Sequence, residues 1–205
     1  MAFPPRLAVA SSNAHKLREI ARICADWPVE WVTVEKDPRT RPHVEETGET
    51  YLENALLKAR AVAAALDLPA VADDSGIEVD ALGGAPGPRS ARYAGPDASD
   101  ERNLQQLIRA LKGIPAGGRT ARYRCVAALV LPDGAEVHVE AVCEGMLIGT
   151  PRGSAGFGYD PIFVPAGWEM TMGELSDEQK DRISHRRRAF RTLAEVLDDV
   201  AGPAV

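Results

Sequence analysis

Apolar positions along this chain switch between alternation and helical spacing, and the switches fall where glycine, proline and capping residues cluster. Leu7 to Ala10 is a short apolar run that predicts a strand. After Ser11-Ser12-Asn13, the residues Leu17, Ile20, Ala21 and Cys24 fall at i, i+3, i+4 and i+7, the pattern of a helix. Val29 to Val34 alternates and is β-branched, which predicts a second strand, and the polar, proline-rich run 36–43 predicts a loop. Thr50 and Glu53 have capping-box spacing, so a helix starts near Tyr51 and buries Leu52, Ala55, Leu56, Ala59, Ala63 and Leu66.

Ala70 to Ala72 reads as a strand ending in Asp73 and Asp74, with a turn allowed by Ser75-Gly76 and a half-buried strand resuming through Ile77, Val79 and Leu82. The loop Gly83-Gly84-Ala85-Pro86-Gly87-Pro88 follows. Leu104, Leu107, Ile108 and Leu111 then mark a helix closed by Gly113. Tyr123 to Leu131 and Val137 to Cys143 flank Asp133-Gly134 as a hairpin, with His138 on its solvent side. Ser176 to Gln179 has capping-box form and opens a short helix carrying Lys180. A second start at Ser184 leads a final helix buried through Ala189, Leu193, Val196, Leu197 and Val200.

Composition narrows the class of protein. The chain has 205 residues, 45% hydrophobic and 26% charged, which suits one compact domain over residues 1–205, with one or two lobes. A net charge of −6 argues against a nucleic-acid polymer as partner. No apolar run approaches the ~20 residues of a membrane span, and the first residues lack a signal pattern, so a cytoplasmic protein without membrane attachment is expected. Cys24, Cys125 and Cys143 are widely spaced in apolar surroundings, as buried thiols in a reducing compartment would be.

Several residues carry candidate chemistry. Lys16 sits in the first turn of its helix, where the dipole disfavours a cation; a bound anion would resolve that conflict, and an ordinary Asn13 cap beside a solvated lysine is the alternative. Tyr51, Asn54 and Lys58 form a stripe that either lines a cleft or lies on a solvated flank. Asp73 and Asp74 repel when ionised unless a cation lies near, and a hard divalent ion such as Mg²⁺ suits their oxygens. Phe157, between Gly156 and Gly158, reads equally as a stacking platform for a flat ligand or as a core plug. His185 and Arg186 again place cations at a helix start. Together with Glu45, Glu46, Lys58 and Lys180, these residues point to nucleoside triphosphate chemistry.

The chain resembles the inosine triphosphate pyrophosphatase family. The likeness rests on Ser12-Asn13-Ala14-His15-Lys16 with Glu19, Glu45-Glu46-Thr47-Gly48, Glu53-Asn54-Ala55 with Lys58-Ala59, the stretch Asp73 to Gly95, Phe157-Gly158-Tyr159-Asp160-Pro161, and Ser184-His185-Arg186, in order from Leu7 to about Leu197. Ser11-Ser12 departs from the usual Thr-Gly, and Tyr51 from the common Phe. The resemblance implies an α/β fold with an elongated mixed β-sheet flanked by helices, two lobes and a central cleft, in a homodimer. It implies Mg²⁺-dependent hydrolysis of dITP, ITP and XTP to the monophosphate and pyrophosphate. By position, Ser11, Ser12, Asn13, Ala14, His15 and Lys16 would bind the triphosphate, and Asp74 would accept a proton and ligate the metal with Glu45 or Glu46. Ser75, Phe157, Gly158, Tyr159, Asp160, Lys180, His185 and Arg186 would contact substrate. The chemistry of the residues adds the expectation that Asp73 assists metal placement and that Lys58, with Lys16, neutralises the leaving pyrophosphate. A pyrophosphatase for modified pyrimidine nucleotides and a non-catalytic nucleotide sensor are the competing expectations.

Overall fold

The structure, a computed structural model, describes residues 3–33 and 44–201. The expected loop over residues 36–43, Val34 and the side chain of Val200 lie outside the described residues. A six-stranded mixed sheet has the order β2-β1-β3-β4-β5-β6. Strand β1 (Arg6–Val9) runs parallel to β2 (Glu30–Thr33) on one side and to β3 (Ala70–Val79) on the other, whereas β5 (Glu136–Leu147) and β6 (Phe163–Pro165) are antiparallel. Strand β4 (Thr120–Val130) lies between β3 and β5.

The chain divides into two compact units. The first comprises residues 1–74, 125–141 and 186–205. Its strand β1 is flanked by neighbours on both edges and buried on both faces, which is why Leu7 to Ala10 reads as an unbroken apolar run. Leu7 and Val9 share a cluster with Ile20 and Ile23 of α1 (Ala14–Ile23) and with Phe190 and Leu193 of α5 (His185–Ala201). Ala8 and Ala10, alternating with them, instead share one with Ala59, Val62 and Ala63 of α2 (Tyr51–Leu66). The alanines bring α2 close to the strands.

The second unit comprises residues 75–124 and 142–185. Leu104, Leu107 and Leu111, from α3 (Asp100–Ala110) and its C-cap, form its core with Ile77, Val79, Tyr123, Tyr159, Ile162 and Phe163. Its last helix, α4 (Asp177–Ile183), starts from the expected Ser176–Gln179 capping box. The hairpin also forms where Asp133-Gly134 places it: Leu131 N–H donates to Ala135 O at 2.9 Å, and Gly134 has φ +88°. His138 is exposed, and the three cysteines are free and buried. Among the described residues no helix is long and apolar enough to cross a membrane.

One expectation fails. The chain does not turn at Ser75-Gly76: β3 runs without a break from Ala70 to Val79, and Leu82 falls in a short 3-10 turn beyond it. Gly76 is needed for space rather than for bending. A Cβ there would lie 2.4 Å from Ser90 Oγ and 2.5 Å from Gly87 O. The strand survives two adjacent aspartates because each is answered by cations.

Candidate active site

Asn13 caps α1, its Oδ1 accepting from His15 N–H at 2.9 Å and Lys16 N–H at 3.2 Å, while Ser11 Oγ accepts from Asn13 N–H at 3.3 Å. Ser12, Asn13, Ala14 and His15 are exposed around this helix start. Lys16 turns inward, its Nζ 3.1 Å from Asp73 Oδ2. The cation in the first turn is therefore answered by a carboxylate of the protein itself, a third possibility beside the bound anion and the solvated lysine.

Along α2, the stripe Tyr51, Asn54, Lys58 is no solvated flank, since Tyr51 and Asn54 are buried and the Lys58 side chain is only 13% exposed. Lys58 Nζ donates to Asp74 Oδ1 at 3.0 Å, to Glu46 Oε1 at 3.0 Å and to the Asp73 carbonyl at 2.8 Å. One ammonium thus gathers residues that β3 and the segment before α2 contribute. Asn54 fastens that segment, accepting from Gly48 N–H at 2.9 Å and donating to Gly48 O at 3.3 Å, with a longer bond to Asp74 Oδ2 at 3.4 Å. Glu46 rather than exposed Glu45 reaches the Asp74 group.

The two aspartates differ electrostatically. Burial pushes the Asp73 carboxyl up, but Lys16, Arg186 and Lys58 outweigh it and hold the group far below the usual carboxylate range. For Asp74, burial dominates and raises the pKa; Lys58 and Lys16 offset part of that, and Glu46 adds to it. Burial would also discharge Lys58, yet Asp74, Glu46 and Asp73 raise its pKa and keep it an ammonium. Adjacent residues therefore have different characters. Asp73 is a fixed anion, and Asp74 is the more basic carboxylate.

Arg186 is engaged within its own unit. Its side chain is 2% exposed, its Nε donates to Asp73 Oδ2 at 3.2 Å, and its Nη1 pairs with Glu19 Oε2. Two carboxylates thus orient the guanidinium. The sequence had a signal for Glu19: it stands four residues before buried Ile23, an acidic side chain on the apolar stripe of α1. Cys125 completes the surroundings, its thiol 4.0 Å from Asp73 Oδ2 and pushed up in pKa chiefly by burial.

In the second unit, Asp160 is the organiser. Its Oδ2 accepts from Lys180 Nζ at 2.6 Å and from Phe157 N–H at 2.8 Å, and its Oδ1 accepts from Tyr123 O–H at 3.1 Å. Buried among these donors, Asp160 holds the loop. Tyr159 belongs to the core, and its hydroxyl donates to Ser90 O at 2.8 Å. Phe157 is half-buried with Lys180 Nζ 5.0 Å from its ring centroid, so it is no core plug. His185 is buried and stacks on Tyr123 at 4.7 Å and 7°. Ser75 is half-buried at the first position of this unit. An apolar pocket of about 380 Å³ lined by Pro4, Pro69, Leu129 and Leu197 holds none of these residues.

The sequence profile of the Ham1 family matches residues 7–196. The chain belongs to the Ham1 family. This Ham1 chain is 46% identical over 196 residues to a dITP/XTP pyrophosphatase of Geobacillus kaustophilus, covering 96% of each. It is 49% identical over 198 residues to one of Streptomyces avermitilis, covering 96% of this chain and 99% of that one. Among solved structures, a HAM1 protein from Coxiella burnetii superposes with TM-score 0.85 at 38% identity, covering 97% of this chain and all of the other. The shared fold is the mixed α/β sheet described above.

Among the described residues no three His, Cys, Asp or Glu side chains converge on one point. The hard oxygens that Lys58 gathers in this Ham1 chain are those of Asp74 and Glu46. That donor set fits a divalent cation of the Mg²⁺ kind, which takes one or two carboxylates and keeps waters and substrate oxygens as its other ligands.

Proposed function

We propose that this chain hydrolyses non-canonical purine nucleoside triphosphates, dITP, ITP and XTP, to the nucleoside monophosphate and pyrophosphate, and so clears deaminated purines from the nucleotide pool. The observation that carries this is Asp74: a buried carboxylate of raised basicity, bonded to Lys58 beside Glu46, in a chain close in sequence to dITP/XTP pyrophosphatases over nearly its whole length.

In this reading Asp74 takes a proton from the attacking water as its oxygen bonds to the α-phosphorus. The bond from the α-phosphorus to the bridging oxygen breaks, and pyrophosphate leaves with the electron pair. Lys58 holds Asp74 oriented, and the start of α1, half-buried at Ser11 and Lys16 and exposed from Ser12 to His15, offers backbone N–H groups and side-chain donors to the phosphates. Asp73 stays ionised and fixes Lys16. Mg²⁺, held by Asp74 and Glu46, would supply charge neutralisation for the leaving pyrophosphate.

For the purine, Phe157 is the stacking platform. Inosine and xanthosine present an acceptor at position 6, where adenosine presents a donor, so donors from His185 and Arg186 favour the former. Polar pairing of this kind discriminates by roughly 10⁴ or more. We further propose that both units act as one domain over residues 1–205, in a cytoplasmic homodimer.

The test is pyrophosphate release from dITP, XTP, ATP, GTP, dTTP and UTP, each with and without Mg²⁺. Release from dITP and XTP, dependent on the metal, is expected. Equal rates on ATP and dITP would sink the specificity, faster turnover of dTTP or UTP would favour the pyrimidine alternative, and tight binding without release would favour a sensor.

A further inference from the structure

Phe157 sits between two glycines of positive φ, Gly156 at +72° and Gly158 at +61°. Such a backbone has no intrinsic preference that would aim the ring. The direction of a side chain follows from its Cα, and the Cα is fixed once the amide on each side is held. Both amides are held here. Phe157 N–H donates to Asp160 Oδ2 at 2.8 Å, and Gly158 N–H donates to Asp100 Oδ2 at 3.1 Å. The first of these carboxylates lies within the same loop. The second comes from 58 residues earlier in the chain, on the first turn of α3.

The helix that carries Asp100 is itself fastened to the loop after β3. Buried Asn103 accepts from Ala94 N–H at 2.8 Å and donates to Ala91 O at 3.0 Å. In that loop Ser90 Oγ accepts from Ile77 N–H at 2.9 Å and donates to Gly87 O at 2.6 Å, and Ser90 O receives the Tyr159 hydroxyl. Asp100 and Ser90 thus hold the two residues that follow Phe157 from one connected segment, residues 87–103.

We propose that Asp100 is a positioning residue for base recognition, acting through the Gly158 amide to aim the Phe157 ring, and that aiming this ring is the task of the segment 87–103. The inference rests on the reading of Phe157 as the purine platform. Asp100 is exposed, so its replacement leaves the core intact.

The experiment compares Asp100→Ala, Asp100→Asn and Phe157→Ala in the full chain with Mg²⁺. It measures KM and kcat for dITP, the inhibition constant of inorganic pyrophosphate, and Tm. Loss of one hydrogen bond to a charged acceptor on an exposed side chain predicts that Asp100→Ala raises KM for dITP by roughly fivefold with kcat retained. Pyrophosphate inhibition is unchanged, because that ligand has no base. Asp100→Asn, which keeps an acceptor oxygen, restores KM. An unchanged KM in Phe157→Ala overturns the platform reading itself. A raised KM in Phe157→Ala with an unchanged KM in Asp100→Ala overturns the positioning role alone. It is also overturned if Asp100→Asn behaves as Asp100→Ala does, or if Asp100→Ala weakens dITP and pyrophosphate binding alike.

Discussion

Replacing Arg186 with methionine tests the buried charge chain most directly. The guanidinium is 2% exposed and lies between Glu19, 9% exposed, and Asp73, fully buried. Asp73 keeps Lys16 at 3.1 Å, so the penalty falls mainly on Glu19, left without the Arg186 guanidinium. Breaking a buried pair in this way costs about 3–5 kcal/mol, a large part of the ~5–15 kcal/mol that stabilises a domain. For a chain of this length that corresponds to a fall in Tm of roughly 10 °C. Urea unfolding followed by tryptophan fluorescence reads it, because Trp27 packs on Phe190 of the same helix at 6.1 Å between ring centroids.

The pH dependence has a definite sign. The folded pKa of Asp73 lies below its unfolded value of about 3.9, so its stabilisation is complete above that value and is lost as pH falls toward the folded one. The gap between parent and Arg186→Met should therefore be full at pH 7. It should narrow below about pH 4, as carboxylates deprived of Arg186 take up protons. Glu19→Gln combined with Arg186→Met should recover part of the loss. A variant within ~1 kcal/mol of the parent at pH 7, or a gap unchanged at low pH, would refute the reasoning.

Two other substitutions have defined outcomes. Asp74→Asn removes the proposed base but keeps hydrogen-bonding capacity beside Lys58, so kcat for dITP should fall by about 10²–10⁴ while circular dichroism shows an intact fold; near-normal turnover would exclude Asp74 as base. In Gly156→Ala, the new Cβ would lie 2.0 Å from Asp160 Oδ2 at a φ of +72°. Backbone strain of about 1–2 kcal/mol adds to displacement of the carboxylate that holds Lys180, so kcat/KM for dITP should drop by at least about tenfold, measured by pyrophosphate release.

The sequence alone determined what depends on neighbours within a few residues. The capping boxes at Thr50 and Ser176, the Asn13 cap and the turn at Asp133-Gly134 all form as local chemistry dictates. So does the helical spacing that buries Ala55, Ala59 and Ala63. Residue types also made a carboxylate and cation site at Asp73, Asp74, Lys16 and Lys58 legible, because adjacent carboxylates and a lysine at a helix start call for partners of opposite charge.

Only the tertiary structure decided which charges meet. Arg186 finds Asp73 across 113 residues and Glu19 across 167, pairings that no periodicity encodes. Those distant partners explain how the Arg186 guanidinium is held, and why β3 continues straight through two aspartates. That Glu46 rather than Glu45 meets Lys58 depends on where a side chain of another element reaches. Likewise Asp100, unremarkable on the first turn of α3, gains a role because folding brings the Gly158 amide to it. Local propensity shapes the segments; burial, which makes an unanswered charge costly, selects the partners.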